Sequence, residues 1–192
     1  MKRLLGLAVV STSILCACAP EPSGDTLFTR LTALCGQAFE GQVTSTDPRD
    51  EDFAQARLVM HVRSCESDVL RVPFHVGEDR SRTWVLSRDD EGHLELKHDH
   101  RHEDGHEDVL TQYGGTSPTS DWGLSVDFPA DEFSKALFER EGIPDSMANT
   151  WTMSVDDTRF TYALNRPGRQ FIAEFDLTTP VEAPPAPWGA QD

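Results

Sequence analysis

Five of the seven histidines in this chain fall between His93 and Tyr113, and the chemistry the sequence can offer is concentrated there. His98, His100 and His102 alternate with Asp99, Arg101 and Glu103, and Glu107 follows just after Asp104-Gly105. Neutral imidazole and carboxylate form ligand sets for zinc, nickel or copper. On a strand, side chains at i and i+2 share a face, about 6.5–7 Å apart along the chain. Asp104-Gly105 suits a two-residue type I′ turn. Closed there, a hairpin sets His102 opposite Glu107, Arg101 opposite Asp108 and His100 opposite Val109. One face then collects His98, His100, His102 and Glu107 as a candidate divalent transition-metal site. His102 with Glu107 is also a candidate acid–base pair. The plainer alternative is a solvated polar hairpin tip, because histidine content alone specifies little.

Other candidates are weaker. In Glu78 to Trp84, Arg80 and Arg82 share a face if extended and can clamp an anion. The bland reading is a charged turn entering a strand, with an arginine stacked on Trp84. His61 and His75 lie among apolar strand residues and read as satisfied wall histidines. Ser81, Ser117 and Ser120 lack a nucleophile-elbow context, and neither HExxH nor a phosphate-binding glycine loop occurs.

The elements that must position these residues are mostly strands. Period-two alternation marks strands at Phe39 to Thr46, Gln55 to Cys65, Val69 to Val76, Arg82 to Ser87, the two arms of the histidine hairpin, and Trp122 to Phe128. Three more follow, around Trp151 to Val155, Phe160 to Leu164 and Phe171 to Leu177. Pro73 within the third suggests an edge or a bulge. Asp25 is a good N-cap for a short helix through Leu34, and Pro129 to Arg140 switches to helical period before Gly142 and Pro144 stop it. Gly114 to Pro118 reads as a loop. From Thr179 the chain is rich in Pro and Ala, an extended tail that wraps the surface or is loose. Closing the strands on themselves removes exposed edges. The expected fold is all-β: an antiparallel up-and-down barrel of about 8–10 strands with two short capping helices. The barrel domain spans residues 25–178 and the tail 179–192.

The N-terminus fixes the expected compartment. Met1-Lys2-Arg3 precedes an apolar run from Leu4 to Leu15 that is too short to span a bilayer. Leu15-Cys16-Ala17-Cys18 resembles the bacterial lipoprotein signal, in which a small residue precedes the lipidated cysteine. That resemblance covers residues 1–19. It implies cleavage before Cys18, lipid on Cys18, anchoring in the bilayer by more than one acyl chain, and, with Ala19 following, the outer membrane of the cell envelope. Residues 18–24 are then a tether. The alternative is an ordinary secretory leader. Losing the 17-residue leader leaves 175 residues, and losing Lys2 and Arg3 takes the formal charge from −16 to −18. Such an excess of carboxylates argues against nucleic acid as a partner. Cys35 and Cys65 remain, and in an oxidising compartment a disulfide between them is the default. A two-thiolate metal site is the alternative, unsupported by CxxC spacing.

Strand count and order over Phe39 to Thr178 also look like a lipocalin-like (calycin) barrel. The Gly-x-Trp signature of true lipocalins is absent, with Gly36 and Gly41 bracketing Phe39 instead. Gly77 to Trp84, Leu96 to Gly105, Tyr113-Gly114-Gly115 and Pro184 to Gly189 are together similar to bacterial secreted and lipoprotein sequences of unassigned activity. The resulting expectation is an envelope binding module, with a divalent metal at His98, His100, His102 and Glu107. The rivals are a carrier of a small apolar ligand in the barrel, a metal-dependent enzyme and a structural envelope protein.

Overall fold

The computed structural model describes residues 25–120 and 123–190. The expected lipoprotein leader, Cys18, the whole of the expected tether and Trp122 lie outside them. The strands are β1 (Ala38–Val43), β2 (Leu58–His61), β3 (Ser64–Cys65), β4 (Val69–Val76), β5 (Asp79–Arg88), β6 (Leu94–His100), β7 (Tyr113–Thr116), β8 (Ser125–Pro129), β9 (Thr150–Val155), β10 (Arg159–Arg166) and β11 (Arg169–Val181). They form one antiparallel meander in which β11 returns to pair with β1. The ends of that path, β7 and β8, meet through a single bridge between Gly115 and Ala130. The fold is therefore an all-β up-and-down barrel, nearly closed, with its one thin seam between β7 and β8.

Alternation puts Leu58, Met60, Leu70, Trp84, Leu86, Leu96, Phe128, Trp151, Phe160 and Phe175 inside, all essentially without solvent contact. Each such side chain stabilises the fold by about 1.5–3 kcal/mol relative to exposure. Three short helices accompany the sheet: α1 (Leu27–Ala33), α2 (Glu51–Gln55) and α3 (Glu132–Arg140). Helix α1 drives Leu27, Phe28 and Leu31 into the core from one end. Its N-cap is Thr26, in a reciprocal capping box with Thr29, rather than Asp25, whose carboxylate binds Arg30 instead. Cys35 and Cys65 are joined by a disulfide that ties the end of α1 to β3. Among the described residues no helix is long and apolar enough to cross a membrane.

Several boundaries differ from the sequence reading for local reasons. The expected second strand is three pieces. Residues Glu51–Gln55 form α2 after Asp47 and Pro48 start a 3-10 turn, and the strand proper breaks between β2 and β3. Pro73, which has no N–H to give, falls opposite that break. The glycine stretch expected as a loop supplies β7. A Cβ on Gly114 would lie 1.7 Å from the Leu96 carbonyl oxygen, and one on Gly115 2.0 Å from that of Pro129. Glycine is used here for close backbone approach. The tail is ordered: the Trp188 N–H donates to the Arg80 carbonyl at 3.0 Å, and the Arg80 guanidinium donates to the Ala186 carbonyl.

Candidate functional site

Residues of β4, β5, β6, β10 and β11 meet at one end of the barrel, where Phe53 of α2 packs against Phe74 and Phe171. Register decides which side chains meet there. Phe74 pairs with Arg82, Arg82 with His100, Trp84 with His98, His98 with Tyr113, and Leu164 with Phe171. Cross-strand partners share a face, so all of these point inward. Between them, with Phe53 of α2 on one side, is a partly open cavity of about 160 Å³. Its floor is aromatic. Phe74 stacks on Trp84 with ring centres 4.9 Å apart, and Trp84 stacks on Tyr162 at 4.5 Å. At the rim the Arg82 guanidinium sits 5.3 Å over the Phe53 ring.

His98 is buried behind this cavity, with both ring nitrogens engaged. Nδ1 lies 3.0 Å from the Tyr113 carbonyl, which can only accept, so Nδ1 carries the proton. Nε2 then accepts from the Tyr162 hydroxyl at 2.8 Å. The result is a chain from phenol to imidazole to carbonyl that uses both ring nitrogens. Burial lowers the His98 pKa to about 4 and raises that of Tyr162 well above its ordinary value, so both are neutral. The His100 pKa is also lowered, chiefly by burial and secondly by the Arg82 charge. Its Nε2 lies 3.0 Å from the Ser81 hydroxyl.

The four residues expected to converge on a metal do not. His98 and His100 face the interior, but β6 ends at His100 and the following segment takes a different register. The His102 N–H donates to the His106 carbonyl, and Arg101, not His102, is opposite Glu107. A one-residue slip moves every side chain to the other face. Glu107 accordingly binds Arg101 and Gln112 on the outside, at 3.2 Å each. His102 stands 60% exposed beside Asp108, its Nε2 3.5 Å from the carboxylate. The expected His102–Glu107 couple is therefore not formed. Among the described residues no three His, Cys, Asp or Glu side chains are grouped to hold a metal ion. The ladder slips at the turn, where the Gly105 N–H donates to the His102 carbonyl and the loop holds Glu103, Asp104 and Gly105 rather than the two residues of a type I′ turn. Farther on, Val109 to Thr111 loop out. The Asp108 N–H reaches the His100 carbonyl, the Gln112 N–H reaches that of His98, and the Thr111 hydroxyl accepts the otherwise unpaired His100 N–H at 2.9 Å. Gln112 takes a left-handed backbone, φ 57°, to rejoin the sheet.

A small apolar ligand inside the barrel is among the readings the sequence offers, but the residues that line this cavity carry no joint signal in it. Phe53, Arg82, Tyr162 and Phe171 lie on four separate elements. The only sequence hint was Arg82 two residues before Trp84, which identifies a shared face and not an empty volume. Comparison of the chain with protein-family models, curated proteins and solved structures returned no match.

Proposed function

We propose that this protein is a binding module for one small, largely apolar molecule of single-ring size, held at the end of the barrel. The observation that carries this is the 160 Å³ aromatic cavity in an otherwise filled interior. A dry apolar cavity of about 150 Å³ accommodates benzene, whereas drug-sized ligands need about 300 Å³ or more. The volume thus favours a single ring over a lipid chain or a haem. The metal reading draws less support, because His98 has neither ring nitrogen free and His102 and Glu107 face elsewhere. The leader resemblance at Cys18 supports reading the domain as lipid-anchored in the cell envelope.

Titration with single-ring probes such as benzyl alcohol tests the reading, with emission from Trp84 and thermal midpoint as readouts. A probe at a hundredfold excess over its Kd stabilises the folded state by about 2.7 kcal/mol. Leu164→Phe, which fills the cavity from its wall, is expected to abolish the shift while keeping the fold. Flat titrations in the unmodified protein across a series of single-ring probes at millimolar concentration refute the reading.

A further inference from the structure

The rim of the cavity has a chemistry the floor does not explain. Arg82 points inward from β5, opposite Phe74 and His100. Its charge acts on His100, Tyr113 and Tyr162, all of which line the cavity. Of its five N–H donors it commits one, to Asp79. The other cation at the rim, Arg169, is held by Asp50 and Asp47 and donates to the Gln170 carbonyl. The His100 Nε2 is occupied by Ser81. Asp99, the one carboxylate among the lining residues, alternates with His98 and His100 on β6. It therefore points to the opposite face, where both its oxygens accept from Arg101.

An aromatic-floored cavity with a guanidinium at its mouth, ion-paired to Asp79 through one N–H and with other N–H groups uncommitted, suits one arrangement. A ring goes down among the aromatics, and a planar anionic group comes up against the guanidinium. A neutral ligand leaves several Arg82 N–H groups without a partner once water is displaced, which costs affinity. A carboxylate satisfies two of them at once in the parallel geometry that guanidinium favours. Arg80, its neighbour in sequence, does not share in this, because it is turned to the tail.

Building on the reading above, we infer that the ligand is a small ring monocarboxylate, its ring on Trp84 and Phe74 and its carboxylate on Arg82. Benzoate and its neutral isostere benzamide separate this inference from the reading beneath it. Calorimetry on the protein is expected to show benzoate binding about tenfold or more tighter than benzamide, the usual margin for a charge-assisted hydrogen bond. In Arg82→Gln the preference should collapse to near parity with benzamide affinity little changed, and Arg82→Lys should restore part of it. Equal affinities in the unmodified protein overturn the carboxylate assignment and leave the cavity reading standing. Failure of benzoate, benzamide and benzyl alcohol alike overturns both. The comparison in the unmodified protein needs no variant, so a poorly folding substitution does not obscure the result.

Discussion

His98 occupies the barrel interior as a neutral imidazole, and that state carries a pH cost. Its pKa is about 4 in the folded protein, against about 6.5 in an unfolded chain. Between those values the unfolded chain binds a proton that the folded one does not. Stability is therefore complete above about pH 6.5 and falls as the pH drops toward 4, by at most about 1.4 kcal/mol per pH unit for one group. His75, whose pKa burial also lowers to about 4, acts in the same direction. Urea midpoints measured at about pH 7 and about pH 5 should show the loss. His98→Phe keeps the ring on Tyr113 but leaves the Tyr113 carbonyl and the Tyr162 hydroxyl without their partner. We expect it to cost about 1–3 kcal/mol for each group and to flatten the pH dependence. A variant with the original pH slope argues that His98 does not titrate from a buried site.

The thinnest element contact is the β7–β8 seam. One bridge, Gly115 to Ala130, joins the strands, and α3 reinforces it from outside. Asp131, the N-cap of α3, accepts from the Ser134 N–H and from the Lys97 ammonium across the seam. Ser134, wholly buried, accepts from the Gly114 N–H at 2.7 Å and donates to its carbonyl at 3.0 Å. Ser134→Ala should cost about 1–3 kcal/mol by removing both bonds. Gly114→Ala should cost more than about 4 kcal/mol, because its Cβ meets strand backbone that has no room to yield. Denaturant titration ranks the two, and equal, small effects mean the seam is looser than described. The histidine hairpin shows the opposite dependence. Its alternation was legible in sequence through His100, but the register beyond was not. The slip follows from a three-residue turn at Glu103 to Gly105, and the return to the β6–β7 register from where Val109 to Thr111 loop out and the Thr111 hydroxyl lands. Such choices depend on a partner strand already held in the sheet.

At the scale of the molecule, the barrel is secured at one end by α1 and the disulfide and at the other by α2, with the tail outside. The Cys35–Cys65 bridge spans 30 positions, which on the chain-entropy model is worth about 3–4 kcal/mol. Reduction, or Cys35→Ser with Cys65→Ser, should lower the unfolding free energy read from urea titration by that amount, and the midpoint with it, without changing the strand signature in circular dichroism. An unchanged midpoint means the unfolded chain gains little freedom when the bridge is opened. The tail was expected to wrap the surface or hang loose. Trp188 against Arg80 and Gly189 against Gly105 and Arg101 give it a path over the barrel and onto the 101–107 turn.

Alternating Leu70, Val72, Phe74 and Val76, the aromatic pairs of β9 to β11, and the turns at Asp156-Asp157 and Arg166 to Gly168 were enough to determine an antiparallel barrel. So were the two cysteines for their bridge. These signals are local: side-chain direction on a strand depends on the backbone of that strand alone. Tertiary structure alone decided what the barrel offers a ligand. Tyr162 reaches His98 across 64 positions of sequence, and Glu107 left the histidine face because the ladder is shifted by one residue at Arg101. A cavity is what the walls fail to fill, so it depends on side chains from every wall together and leaves no pattern in any one stretch of sequence.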